Sequence, residues 1–245
     1  IARHWAMKDD RSRIDAAVEA VAEVGNPTVV ATLTVVSALL PMLSRALRSK
    51  DEAAAHKLFV TGIETGLLLA LPAAAAYIAV APTIMDVLFV RGAFTAGDAN
   101  ASALALIGYS VGLPAFVLGK VFSAAFFARE DTATPVKFAV VCAVLNTLLA
   151  LMLIMPFRHV GIAFATGITA WVNVGLLVGS LWKRKIFFFD QSTLKNTIII
   201  FVSSGLMAFI LVLGDRYAMP GFMKGGQVLK LAGLGLLMAA GGIVY

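Results

Sequence analysis

The sequence predicts an all-α protein that crosses a membrane several times as a polytopic bundle of transmembrane helices. Three observations predict it: 60% of the 245 residues are hydrophobic, only 14% are charged, and the mean hydropathy is +0.90. A soluble domain has about 45–50% apolar and about 25% charged residues. The composition therefore excludes a cytosolic enzyme, a disordered tail and a small secreted disulfide-rich domain.

The lengths of the apolar runs predict the number of spans. Crossing about 30 Å of hydrocarbon takes about 20 mostly apolar residues, because a helix satisfies its own backbone hydrogen bonds. Six runs are long enough for full spans, and a seventh, at 28–43, predicts a short or partial span after the break at Asn26-Pro27. The predicted full spans are 58–81, 99–128, 138–157, 160–182, 196–214 and 228–245.

The charges in the links predict the orientation of the spans. Alternation places the links 44–57, 129–137 and 183–195 on one side of the membrane and 82–98, 158–159 and 215–227 on the other. Positive charges favour the cytoplasm, so the richer set is predicted to be cytoplasmic. That set holds Arg45, Arg48, Lys50, Lys57, Arg129, Lys137, Lys183, Arg184, Lys185 and Lys195, against Arg91, Arg158, Arg216 and Lys224 in the other.

Local signals predict a helix start and close packing between helices. Thr134 followed by Pro135 is typical of an N-cap and a first-turn proline, which places a helix start at Pro135. Small residues four apart let helix backbones approach closely in membranes. The pairs that predict such approaches are Gly62/Gly66, Gly108/Gly112 and Gly175/Gly179.

The sequence lacks the motifs of common catalytic and metal sites. We find no phosphate-binding glycine loop, zinc helix, nucleophile elbow or paired Cys-x-x-Cys, so we expect no catalytic residue, metal or cofactor and no enzyme. The net charge of +6 lies in short links between apolar runs. It therefore indicates membrane topology rather than a nucleic-acid partner.

Two ionisable residues inside predicted spans are candidate cavity residues, because charges in a membrane are costly and usually face a cavity or a partner. Glu64 lies about 10 Å past Lys57, and Lys120 lies about 13 Å before Arg129, at about 1.5 Å per residue. The matched depths predict that Glu64 and Lys120 pair. The alternative is that each side chain extends separately to the cytoplasmic headgroups.

Charged residues at the span ends are candidate headgroup contacts. Arg91, in the link from Pro82 to Asn100, lies either in a short amphipathic turn that meets a lipid headgroup or in a solvated loop. Lys183, Arg184 and Lys185 precede three phenylalanines, and such a basic and aromatic boundary predicts contact with anionic phospholipids.

From residue 40 to the end, the chain resembles the C-terminal half of the lipid II flippase family (MurJ, or MviN) of the multidrug/oligosaccharidyl-lipid/polysaccharide exporter superfamily. Its motifs stand in family order over some two hundred residues. They are Leu40-Pro41-Met42-Leu43-Ser44-Arg45, Leu88-Phe89-Val90-Arg91-Gly92-Ala93-Phe94, Tyr109-Ser110-Val111-Gly112-Leu113-Pro114, Arg129-Glu130-Asp131-Thr132-Ala133-Thr134-Pro135-Val136-Lys137 and His159-Val160-Gly161.

This resemblance implies the C-terminal lobe of a two-lobed, fourteen-helix transporter, residues 58–245 here. It implies transport of the undecaprenyl-pyrophosphate-linked peptidoglycan precursor in the bacterial inner membrane, with an N-terminal lobe as a further partner. Lys137 would match a functionally important family lysine, and the same motif contains Arg129. We place both with Glu64 and Lys120 in the candidate substrate cavity. The last two spans would match the family's groove for the lipid tail.

Residues 1–42 resemble a different family. Segments such as Glu23-Val24-Gly25-Asn26-Pro27-Thr28 are similar to the cytoplasmic link and following helix of resistance-nodulation-division efflux pumps. The implied organisation is a pump-like amphipathic link at 1–27, a short helix at 28–43 and a basic cytoplasmic link at 44–57, which suggests a fusion. A pump fragment and a non-transporting membrane scaffold are therefore the alternative functions.

Overall fold

The computed structural model describes residues 38–90, 94–186, 191–223 and 225–245, and over these residues it is helical and contains no strand. The predicted all-α fold class is confirmed. The first helix, α1, is described over 38–48. The others are α2 (Glu52–Phe89), α3 (Ala96–Phe127), α4 (Ala133–Lys183), α5 (Gln191–Tyr217), α6 (Met219–Met223) and α7 (Gln227–Val244).

Helix α4 is a hairpin of two arms rather than one straight rod. A straight helix of 51 residues would be about 77 Å long, far beyond the thickness of a bilayer. Arg158 breaks it with φ 52° and ψ −133°. A Cβ added to Gly161 would overlap the carbonyl of Leu153, which requires the chain to fold back there. The arms, α4a (133–157) and α4b (159–183), contain the predicted spans 138–157 and 160–182.

Helix α2 is longer than the predicted span. It continues from 81 to Phe89, so the predicted outer loop begins eight residues later than expected. Pro82 lacks an amide hydrogen and crowds the preceding turn. The helix absorbs this at Val80 (φ −126°, ψ 21°) and then resumes, since Val87 and Phe89 are buried. Burial of these side chains thus favours helix over a solvated loop.

Helix α2 lies at the centre of the bundle, in contact with α3, α5 and α7, while α3 also packs on α4. Two predicted glycine pairs make close approaches. A Cβ on Gly66 would lie 2.9 Å from Val117 Cγ1, and one on Gly112 would lie 2.6 Å from the Cα of Gly167. The prediction is wrong for Gly175 and Gly179, where an added Cβ meets no described atom within 4 Å.

The links group at two ends of the bundle, in the sets that the alternation of spans predicts. At one end Arg129 approaches Glu52, and Arg184 binds Asp131. At the other end the hydroxyl of Thr83 donates to Asp215 at 2.5 Å. Which end faces the cytoplasm remains a prediction from the positive charges.

Candidate functional site

A cavity of about 400 Å³ lies at the predicted cytoplasmic end, where three loops meet. We call it the loop cavity. Its polar lining comes from the start of α2, the loop after α3 and the end of α4b, and its apolar lining comes from α1, α2 and Ile186. The lining residues are Leu43, Glu52, Ala55, His56, Phe59, Arg129, Lys185 and Ile186.

Arg129, one of the predicted cavity residues, lines this loop cavity with its guanidinium partly desolvated. Its Nη1 donates to the carbonyl oxygen of Ala125 at 3.1 Å, and its Nη2 lies 3.8 Å from Glu52 Oε2. Burial lowers the pKa of Arg129, and the charge of Glu52 opposes that change. The guanidinium stays protonated, so the arrangement holds a fixed positive charge at the cavity wall.

Arg184 connects the end of α4b to the start of α4a. Its Nη1 donates to Asp131 Oδ2 at 2.6 Å, its Nη2 donates to Thr134 Oγ1 at 2.9 Å, and its guanidinium lies 5.4 Å from the ring centre of Phe126. Such charge-assisted bonds are stronger than neutral ones. The sequence predicts a headgroup contact for Arg184, whereas the structure gives this side chain partners within the protein.

Thr132 occupies the N-cap position of α4 without a side-chain capping bond, and the preceding Asp131 caps the first turn in place of the predicted Thr134. The backbone N–H of Thr134 donates to Asp131 Oδ1 at 3.0 Å, and α4 begins at Ala133 rather than Pro135. That backbone bond, the Arg184 side chain and the Thr134 hydroxyl lower the pKa of Asp131 to about 2. The cap is therefore ionised at neutral pH, which favours the helix N-terminus.

Lys137 lies exposed in the first turn and a half of α4a, and it lines neither of the two cavities described here. Its neighbours Pro135 and Ala139 face inward to the second cavity. The functional role of Lys137 remains a prediction.

The second cavity, of about 340 Å³, lies between α3 and the two arms of α4. We call it the helix cavity. Its polar lining consists of Lys120, Ser123, Asn146, Thr166, Thr169 and Asn173. The Oδ1 atoms of Asn146 and Asn173 are buried without a hydrogen-bond partner. Lys120 is thus among the residues that line a polar space, and its role in substrate transport stays a prediction.

Glu64 lies on the opposite side of α3 from this cavity and accepts a hydrogen bond from Asn196 Nδ2 of α5 at 2.8 Å. Among the described residues, no ion pair joins Glu64 to Lys120, so that predicted pair is wrong. Their depths do match, since Gly62 and Gly66 of α2 pack against Val121 and Val117 of α3. The two side chains point in different directions around their helix axes.

Of the remaining predicted headgroup residues, two are described, and both lie at one end of the bundle. Lys183 and Lys185 are exposed at the end of α4b. Arg91 and the three phenylalanines at 187–189 lie outside the described residues, as do residues 1–37 and Lys224. Within the described part of the chain, no group of three or more His, Cys, Asp or Glu residues could hold a metal ion.

Sequence reasoning missed three asparagines: two have buried side-chain oxygens, and the third is exposed and donates to Glu64. Asn146, Asn173 and Asn196 stand in predicted spans but carry no charge, so the cost of a charge in the membrane does not single them out. A buried amide also needs partners. An asparagine in a span was therefore a signal that could have found both the helix cavity and the partner of Glu64.

Comparison with known proteins identifies relatives along most of the chain. The family model described as lipid II flippase MurJ matches residues 24–233. A protein of Rickettsia prowazekii named probable lipid II flippase MurJ is 32% identical over 207 residues, which is 84% of this chain and 41% of the relative. A protein of Rhizobium meliloti with the same name is 38% identical over 195 residues, which is 79% of this chain and 36% of the relative. The chain thus spans about two fifths of their length.

A solved structure, a lipid II flippase MurJ in an inward closed conformation, has the same fold. The TM-score is 0.73 at 20% identity, and the superposition covers 93% of this chain and 46% of the solved one. The helical architecture described above is therefore that of part of a known membrane transporter.

The comparisons give no support for a pump-like segment or a fusion. The flippase family model begins at residue 24, within the segment at 1–42 that resembles efflux pumps. Beyond that point the match continues into α7 and ends at residue 233. Since this match covers most of the sequence, the chain belongs to the lipid II flippase MurJ family.

Proposed function

We propose that this chain forms the C-terminal lobe of a lipid II flippase and acts together with an N-terminal lobe. The complete transporter moves the undecaprenyl-pyrophosphate-linked peptidoglycan precursor across the bacterial inner membrane. The observation that carries this proposal is the match of residues 24–233, nearly the whole described bundle, to the flippase family model. We include an N-terminal lobe because each relative is more than twice as long as the part of it that matches this chain.

A chimeric transporter tests this function. The segment of the Rhizobium meliloti relative that aligns with residues 24–233 is replaced by those residues, and the chimera is expressed in a strain depleted of its own flippase. We expect growth to be restored, and we expect this chain alone to restore none. A chimera that reaches the membrane at the level of the intact relative without restoring growth contradicts the proposal and favours a non-transporting scaffold.

We assign Lys137, Lys120, Arg129 and Glu64 to the path or the movements of the lipid-linked substrate. Lys137 stands near the start of α4a, where an exposed ammonium is within reach of phosphate groups at the membrane surface. In the chimera, Lys137→Ala should impair growth at normal protein levels. The matched control is Lys57→Ala, which removes another exposed lysine at the same end. Equal growth of the two variants removes Lys137 from the site.

The proposal also requires the loop cavity to face the cytoplasm. Ser49 is an exposed residue of the loop before α2, and a Ser49→Cys variant reports on which side of the membrane this loop lies. The single native cysteine, Cys142, is replaced by alanine in this variant. We expect the introduced cysteine to resist a membrane-impermeant maleimide in intact cells and to react after lysis. Labelling in intact cells would reverse the orientation and place Arg129 and Lys183 outside. In that orientation Lys183 would not contact the anionic phospholipids of the cytoplasmic leaflet.

A further inference from the structure

We propose that the loop cavity is a binding site for a phospholipid with a zwitterionic, phosphate-and-amine headgroup. This inference uses the membrane location of the chain and does not depend on transport of the lipid-linked precursor. It rests on three features of the cavity: three hydrogen-bonded helix ends with left-handed residues, a mixed-charge rim and an apolar floor at the predicted depth of the membrane interface.

The first feature is the shared construction of the three helix ends that surround the cavity. α1, α3 and α4b each end in a charged residue with a left-handed backbone, at Lys50 (φ 58°), Glu130 (φ 63°) and Lys185 (φ 56°). Each end is closed by a hydrogen bond from the next residue to the carbonyl five residues earlier, at 3.0–3.1 Å. This is the Schellman geometry, which usually has glycine at the left-handed position. A backbone held in this conformation by non-glycine residues is typical of functional sites.

The second feature is the charge pattern of the rim. Arg129 and Lys185 supply two positive charges, and Glu52 supplies a carboxylate on the same cavity wall. The guanidinium of Arg129 uses one N–H on Ala125, and its approach to Glu52 is long at 3.8 Å. It therefore retains donors for a phosphate, which Arg binds with two parallel hydrogen bonds. The Glu52 carboxylate repels a simple anion but accepts hydrogen bonds from an ammonium group. The charges of the rim therefore match a headgroup in which a phosphate is joined to an ammonium group.

The third feature is the depth of the cavity relative to the membrane. Glu52 and Phe59 are seven residues apart on α2, which corresponds to about 10 Å along the helix axis. The predicted hydrocarbon span begins at 58, so Glu52 lies at headgroup level and Phe59 at the start of the acyl region. Leu43 and Phe59 are buried in the adjoining core. The cavity thus offers polar groups to a headgroup and an apolar wall to the first part of its acyl chain.

Native mass spectrometry of the purified full chain tests this site. The protein is titrated in detergent with phosphatidylethanolamine, phosphatidylglycerol or inorganic phosphate. Arg129→Gln/Lys185→Gln is compared with Arg48→Gln/Lys57→Gln, which removes two exposed positive charges at the same end from residues outside the cavity. We expect phosphatidylethanolamine affinity to fall at least about tenfold in the first double variant and to remain unchanged in the second.

Glu52→Gln separates the headgroup assignment from a folding defect. Without the carboxylate, the site should lose its preference for phosphatidylethanolamine and bind phosphatidylglycerol at least as well, which an unfolded protein would not do. Equal losses in the two double variants would indicate a general charge effect and overturn the proposal. Competition by inorganic phosphate as strong as that of the lipid would indicate a small-anion site and would also overturn it.

Discussion

Replacing Gly112 by alanine should destabilise the contact between α3 and α4b. A Cβ at this position would lie 2.6 Å from the Cα of Gly167, whereas ordinary van der Waals contacts start at 3.4 Å. The two backbones must therefore separate locally by about 0.8 Å. Overpacking of this kind costs about 1–3 kcal/mol. Since the obstacle is backbone rather than a flexible side chain, rotamer changes cannot relieve the overlap.

Gly175→Ala is the matched control, because it introduces the same methyl group into α4b, the partner of α3 in this contact, at a position with no described atom within 4 Å. Both substitutions gain about 0.5–1 kcal/mol of helix propensity. The difference between their free energies of unfolding therefore isolates the steric cost of about 1–3 kcal/mol. Equilibrium unfolding in mixed micelles measures it. A Gly112→Ala protein as stable as Gly175→Ala would refute this packing of α3 on α4b.

Three other comparisons of variants test local features. Because Asp131 has its pKa lowered to about 2 from 3.8, its ionised cap stabilises the fold above about pH 4. The melting temperature of wild type should then exceed that of Asp131→Asn at neutral pH, and the difference should shrink below about pH 4 and vanish as the pH falls through about 2; a constant difference contradicts the cap. Arg158→Gly should raise the free energy of unfolding by about 1 kcal/mol, while Arg158→Ala should not, since only glycine relieves φ 52°. Glu64→Gln and Lys120→Met should change stability additively to within about 0.5 kcal/mol, whereas strong coupling would mean that the residues meet.

The spans were predictable because a membrane imposes a length on every crossing. The runs at 138–157 and 160–182 were separated by only two residues, yet the chain does reverse at Arg158. The hydrophobic length alone required a break there, since no single helix of 51 residues fits a bilayer. The extension of α2 to Phe89 was not predictable in this way, because it depends on burial of Val87 and Phe89 by neighbouring helices.

The level of Glu64 and Lys120 along the bundle, relative to each other, was predictable, but the direction of each side chain around its helix axis was not. Glu64 and Lys120 lie at matched levels, as counting residues predicts. Their partners depend on which face of each helix packs inward, and that is decided by contacts such as those of Gly66 with Val117. The same limit explains Gly175 and Gly179, whose spacing resembles that of Gly108 and Gly112, whereas a Cβ added to either meets no atom of the described helices within 4 Å.

The polar side chains of the site could be found in part. Arg129 and Lys120 stood out as charges near or inside apolar runs, and both line cavities. The role of Arg184 was missed because its partner Asp131 lies 53 residues away in the sequence. Three loops meet at the loop cavity only after the helices have packed, so no local pattern indicates it.

The most direct test of the central claim, that this bundle is half of a lipid II flippase, is the leaflet in which the lipid-linked precursor resides. Spheroplasts that depend on the chimera are treated with a membrane-impermeant reagent that modifies the exposed part of the precursor. With the native sequence at 24–233, we expect the outer-leaflet fraction to match that of cells with the intact relative. A precursor that stays protected in the inner leaflet, although the chimera is folded and present in the membrane, would contradict the claim.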